Sequence, residues 1–207
     1  MIRLVADSSC DVYALPGVDF RAVPLHISTD DGRAFIDDPE LNVGEMVDCL
    51  HSHKGRSYTA CPSVAAWLEA FEGADTVYVV TITSGLSGSY NSAKVAADLY
   101  QQASPEASVH VFDSLSTGPE ELLLLEKLRE LVNAGLEFEE VIRQAEDYMR
   151  HTRLFFSLHS LHNLAQNGRI GKVTAAAVSV MNIRVIGTAS PEGTLATIGK
   201  ARGDKRA

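Results

Sequence analysis

The chain has 207 residues, 45% of them hydrophobic and 22% charged, the proportions of a globular protein able to bury a sizeable core. A formal net charge of -9 and a pI near 5.2 argue against a broad nucleic-acid surface, and no basic stripe with interleaved aromatic residues occurs. The three cysteines, Cys10, Cys49 and Cys61, show no close-pair spacing and an odd count, which does not suit a disulfide framework and points to the cytoplasm.

Ile2 to Ala6 reads as a buried first strand rather than a leader peptide. It empties into Asp7, Ser8, Ser9, Cys10 and Asp11, a polar loop that either faces a cleft or caps a short helix. Arg21 to Thr29 is expected to form one strand, with Pro24 placing it at an edge or a bulge. A turn at Asp30 to Gly32 and the carboxylates Asp37, Asp38 and Glu40 precede a helix from about Val43 to His53. Acidic residues are expected there from the helix dipole alone, and no calcium-loop spacing is present, so no metal is expected. His51 and His53 likewise suit a helix C-terminus. Thr59 to Ser63 is expected to be a turn leading into a helix through Trp67, Leu68 and Phe71.

Thr76 to Ile82 is nearly all β-branched or aromatic, as a strand buried on both faces of a parallel sheet requires. The loop Thr83, Ser84, Gly85, Leu86, Ser87, Gly88 follows, and Tyr90, Ala93, Ala96, Ala97 and Tyr100 then recur at helical spacing. Unpaired N–H groups of a first helical turn, the dipole and two glycines suit an anion, and Ser84 and Ser87 add hydroxyls. The alternative is that these serines only cap the helix. Val109 to Phe112, the loop Asp113 to Gly118 and a leucine-rich helix repeat the same grammar, which implies a doubly wound α/β sheet with its loops on one edge. A helix over Phe138 to His151 follows.

A second unit starts at Leu154. His159 and His162 lie one helical turn apart without a third ligand and read as ordinary helix residues. A basic turn from Asn167 to Lys172 precedes an alanine and valine helix over Val173 to Met181, too short to span a bilayer. Strands near Ile183 to Gly187 and Thr194 to Ile198 flank a turn at Pro191 to Gly193.

Several segments together resemble the DegV family of bacterial lipid-binding proteins. They are Ala6 to Ser9; Val23 to Leu25; Thr59 with Pro62 and Ser63; Ile82 to Ala93; Asp113, Ser114 and Ser116; Asn167 to Ile170; Asn182 with Ile183; and Gly199, Lys200, Arg202 and Gly203. The resemblance implies a two-domain α/β protein that holds one long-chain fatty acid in an apolar tunnel. Some members serve as the binding subunit of a fatty-acid kinase and present the carboxylate to a separate ATP-binding subunit for acyl-phosphate formation. Such a chain is not itself an enzyme and needs no cofactor or metal beyond the bound lipid. Carried over, the carboxylate contacts fall on Thr59, on Ser84 with the following Gly85, and on Ser87 of the same loop, and the basic positions facing the kinase fall on Arg169 and Arg202. Burying sixteen carbons would gain on the order of 12 kcal/mol gross at ~0.8 per methylene, which leaves the head group needing only neutral donors.

The chain departs from the family pattern at Val185, where proline is usual, at Ile36 with Asp38, and in length. Members continue well past the Arg202 region. The expected organisation is therefore a doubly wound, mostly parallel α/β domain over 1–153 followed by an incomplete α+β domain over 154–207. The apolar set after Leu154 is then expected either to pair with a second copy as a homodimer or to be less stably ordered. Two rival functions are a serine-dependent hydrolase at Ser84 or Ser87 and a nucleotide-binding α/β domain. The loop does not complete a Gly-x-Ser-x-Gly elbow and lacks both the dinucleotide glycine spacing and a P-loop lysine.

Overall fold

The structure is a computed structural model and describes residues 1–158, 160–170 and 183–202. Along the chain its elements are β1 (Ile2–Asp7), β2 (Asp19–Val23), β3 (His26–Thr29), β4 (Ala34–Ile36), α1 (Val43–Ser52), β5 (Ser57–Ala60), α2 (Val64–Phe71), β6 (Thr76–Thr81), α3 (Ser89–Ala103), β7 (Ser108–Asp113), α4 (Pro119–Asn133), α5 (Phe138–Met149), β8 (Phe155–Leu158), α6 (His162–Gln166), β9 (Ile183–Ala189) and β10 (Leu195–Arg202). A single 3-10 turn, Ser8–Cys10, follows β1.

Strands β2, β1, β6 and β7 form an all-parallel sheet in that spatial order. Successive side chains point to opposite faces, and the strand sequences fill both. Leu4, Ala6, Tyr78, Val80 and Phe112 pack with Leu124, Leu125 and Leu128 of α4 and Val141 of α5. Val5, Val77, Val79 and Val111 pack on the other side with Trp67 and Phe71 of α2 and Ala93 and Ala96 of α3. Small residues, Ala93, Ala96 and Ala97, pack against the sheet from α3, and leucines do so from α4. From β1 the chain goes to β2 on one side, and β6 lies on the other, so the strand order reverses between β1 and β6. That switch point is where an open α/β sheet leaves a crevice at its carboxyl edge.

The expected single strand over Arg21 to Thr29 is instead two strands in different sheets. Pro24 has no N–H to continue the ladder, and the Leu25 N–H turns away to donate to Ser8 Oγ at 3.0 Å. β3 then pairs antiparallel with β4 and β5 in a separate small sheet. Thr59 and Ala60, expected in a turn, belong to β5, where Thr59 stands opposite Ile27. The carboxylates before α1 also serve differently from expectation. Asn42 caps the helix by accepting the Glu45 N–H at 3.2 Å, and Asp37 accepts the hydroxyls of Ser8 at 2.6 Å and Tyr13 at 2.8 Å.

Among the described residues, the third sheet is antiparallel in the order β10, β9, β8. Val185 and Ala201 are buried, whereas Phe155 and Ile198, on the two outer strands, are 67% and 56% exposed. The turn joining β9 to β10 is closed by the Ser190 N–H donating to Thr194 O at 2.8 Å and the Gly193 N–H donating to Ser190 O at 2.9 Å. The expected helix over Val173 to Met181, together with His159, Lys172, Asn182 and Gly203, lies outside the described residues.

Candidate functional site

The loop between β6 and α3 is organised by Thr83 rather than by its serines. Thr83 is buried, and its N–H donates to Ser116 O at 2.9 Å. Its carbonyl accepts the N–H groups of Leu86 (3.1 Å) and Ser87 (3.2 Å). Its Oγ1 accepts the Gly85 N–H at 3.1 Å and donates to Gly193 O at 2.9 Å. The Ser84 N–H is likewise taken, by Asp113 Oδ1 at 3.0 Å. The backbone donors following Ser84, expected to face an anion, are thus spent inside the chain.

The loop still offers hydroxyls and a helix end. Ser84 is exposed, and α3 opens at Gly88 without a side-chain cap, so neither serine takes the expected capping position. Ser87 performs a smaller local task, its Oγ accepting the Ser89 N–H at 3.2 Å. The next N–H groups of the first turn of α3 have no intrahelical acceptor and keep the partial positive charge of a helix N-terminus.

Asp7 closes the floor of the crevice. Its Oδ2 accepts the Ile82 N–H at 3.1 Å and the Ser89 hydroxyl, and its Oδ1 accepts the Ser9 hydroxyl. Burial raises its pKa, and the bonds from Ser89, Ser9 and Ile82 counter this in part. The β1 and β6 loops therefore do meet, through the Asp7 carboxylate, which agrees with the first of the two alternatives for that loop, facing a cleft, rather than with capping.

Thr59 is exposed on β5, and several contacts tie that strand to the loop. Just past β5, Pro62 O accepts the Ser92 hydroxyl of α3 at 2.9 Å, while Ser92 Oγ accepts Trp67 Nε1–H at 3.0 Å. A Cβ on Gly88 would lie 3.3 Å from Cys61 Sγ. On the other side, Asn167 Nδ2 donates to Ser57 O at 3.1 Å, and Arg169 Nε donates to Leu86 O at 3.3 Å. Arg169 also donates to Asn167 O at 2.7 Å. One turn thus holds both the strand of Thr59 and the loop of Ser84, and it puts a half-buried guanidinium beside the loop. Gly85 faces the β9–β10 turn so closely that a Cβ there would sit 2.8 Å from Gly193 O.

Arg202 is not brought to the loop. It ends β10, seven residues beyond Leu195, which is about 20–25 Å along an extended strand from the turn that touches Thr83. Among the described residues, no histidine hydrogen-bonds to Ser84 or Ser87, as a hydrolase would require, and no group of three or more His, Cys, Asp or Glu is placed to hold a metal.

Among the cavities lined by described residues, two lie near this region, and neither of these is lined by Thr59, Ser84, Gly85 or Ser87. One, of about 660 Å³, lies between the Ser114 and Leu115 loop, the end of α5 at Met149 and Arg150, and the β9–β10 turn. The other, of about 30 Å³, is enclosed by Phe156, Leu158, Leu161, Val185 and Leu195; it has room for water but not for an acyl chain.

The model of the DegV family matches the chain over residues 1–207. A DegV domain-containing protein of Streptococcus pneumoniae is 43% identical over 208 residues, covering 99% of this chain and 74% of the relative. Among solved structures, a DegV family protein from Eubacterium eligens loaded with heptadecanoic acid superposes with a TM-score of 0.96 at 55% identity, over 100% of this chain and 74% of that one. The Streptococcus pneumoniae Fatty Acid Kinase (Fak) B3 protein, loaded with linoleic acid, gives 0.95 at 43% identity over 99% and 74%. A Thermotoga maritima protein whose structure reveals a fatty acid binding function gives 0.81 at 26% identity, over 99% and 72%. A full-length family match, a shared α/β architecture and identities well above 30% leave one conclusion: the chain belongs to the DegV family.

Proposed function

We propose that the chain binds one long-chain fatty acid and holds its carboxylate at the Ser84 loop and Thr59, presenting it to a separate ATP-binding kinase subunit for acyl-phosphate formation. The observation that carries this reading is the uncapped start of α3 beside the exposed Ser84 hydroxyl, in a fold whose matched relatives are loaded with fatty acids. The Asn167 and Arg169 turn supports it by fixing β5 and the loop to one another. Hydroxyls and helix N–H groups satisfy a carboxylate, and Arg169 adds a cation at the edge of the loop. The remaining parts of the reading are a first unit over 1–153, a second over 154–207 contributing the apolar cover, Arg169 and Arg202 as contacts for the kinase, a cytoplasmic setting, and pairing of two copies through the second unit.

The test is denaturing extraction of the purified chain followed by mass spectrometry, with a titration of palmitate and oleate alongside. A co-purified acyl chain or saturable binding is expected. Absence of both would overturn the reading for this chain.

A further inference from the structure

Glu121, in the first turn of α4, is fully buried, and its Oε2 has no hydrogen-bond partner among the described residues. Its Oε1 lies 2.8 Å from Ser9 Oγ and 3.2 Å from the Gly118 N, whose N–H also donates to Ser9 O at 3.0 Å. Ser9 Oγ also reaches Asp7 Oδ1. A serine hydroxyl carries one hydrogen, so it cannot donate to both carboxyl groups. One of the two contacts must use a proton that belongs to a carboxyl.

The surroundings assign that proton. Asp7 accepts two further donors, the Ile82 N–H and the Ser89 hydroxyl, which suit a carboxylate. Glu121 has an unpartnered oxygen in a dry site, which suits a neutral acid and would be costly for an anion. The titratable groups facing Glu121 are Asp7 on β1, Asp11 after the 3-10 turn and the Cys10 thiol. The charges acting on it, those of Asp7 and Asp11, are both negative.

We propose that Glu121 is a positioning residue for the Ile82 to Ser89 loop: it keeps its proton and donates it to Ser9 Oγ, which frees the Ser9 hydroxyl for Asp7, whose other oxygen fixes Ile82 and Ser89. The functional meaning of this relay rests on the proposed function, because the loop it fixes is the one that would hold the fatty-acid carboxylate. Burial and the neighbouring Asp7 charge push Glu121 well above the ordinary carboxylate range, in the same direction.

The test compares the chain with Glu121→Gln, Glu121→Ala and Ser9→Ala. At pH 7 the wild type should show the infrared carbonyl band of a protonated carboxyl, and Glu121→Gln should lack that band. Residue-resolved hydrogen exchange should find the Ile82 and Ser89 amides at least tenfold faster in Glu121→Ala and Ser9→Ala, with Glu121→Gln, which keeps a donor at this site, near wild type. If Glu121→Ala fails to fold, Ser9→Ala decides the exchange arm, since it leaves both carboxyls and the packing in place. No difference band, or unchanged exchange in Ser9→Ala, would overturn the proposal. A parallel palmitate titration separates the two readings: failure of the wild type to bind would sink the proposed function and leave the infrared and exchange results to decide the role of Glu121.

Discussion

Gly193 is the position where one methyl group should do the most damage for the least chemistry. Its φ is +71°, and a Cβ would collide with Thr83 Oγ1 and come within 3.1 Å of Leu115 Cα. Two costs follow for Gly193→Ala. The left-handed backbone costs an L-residue about 1–2 kcal/mol. Forcing the methyl against Thr83, with the Thr83 to Gly193 hydrogen bond disturbed, costs about 1–3 kcal/mol more. A loss near 3 kcal/mol is the working figure, equivalent to roughly 6–12 °C in Tm for a chain of this size. Gly32→Ala supplies the control, because Gly32 has φ +90° but nothing within 4 Å of its would-be Cβ. That variant should lose only the backbone part, about 1–2 kcal/mol. Urea unfolding of both variants, read at unchanged m, measures the difference. Equal losses in the two would refute the claim that the β9–β10 turn is pressed onto Thr83.

Thr59→Ala and Ser84→Ala should each weaken fatty-acid affinity by ~1.5–3 kcal/mol, the usual loss for a hydrogen bond to a charged group, with little change in Tm; unaltered affinity in both would move the head group elsewhere. Arg169→Ala should lower both fatty-acid affinity and acyl-phosphate formation with a kinase subunit, because Arg169 touches the Leu86 carbonyl, whereas Arg202→Glu should lower only the latter; a matching pattern for both would reject the division of roles. Asp7 and Glu121 have raised pKa values, so the folded state binds protons more tightly than the unfolded one. Their stabilisation is complete below the ordinary carboxylate range and declines as pH rises toward their folded values, so Glu121→Gln should gain on wild type from pH 5 to pH 8 in urea midpoints. A constant gap between the two would contradict the buried neutral acid. Light scattering should find a dimer if β10, at the edge of its sheet among the described residues, pairs two copies, and a strict monomer would dismiss that pairing.

The parallel sheet was legible because β6 and β7 each end in a polar loop before a helix, and β6 is β-branched or aromatic throughout. The crevice at the end of β6 followed from the same grammar. Arg21 to Thr29 was misread because β-propensity continues across Pro24, while the break depends on Ser8, distant in sequence, capturing the Leu25 N–H. Thr83 was overlooked for a related reason. A threonine at a strand end looks like any other, and its importance comes from Ser116 and Gly193, which reach it from loops far along the chain. Glu121 left no local signal at all, since a glutamate in a first helical turn is what the dipole already favours. Only the fold brings it against Ser9.

The bond from Thr83 Oγ1 to Gly193 O has one further consequence. The same hydroxyl receives the Gly85 N–H, so any displacement of the loop changes the pull on the β9–β10 turn. β10 runs from that turn to Arg202 as one hydrogen-bonded ribbon with β9. The loop and the hairpin are therefore fastened at a single hydroxyl, so a change at Thr83 should loosen the β6–α3 loop and the β9–β10 turn together.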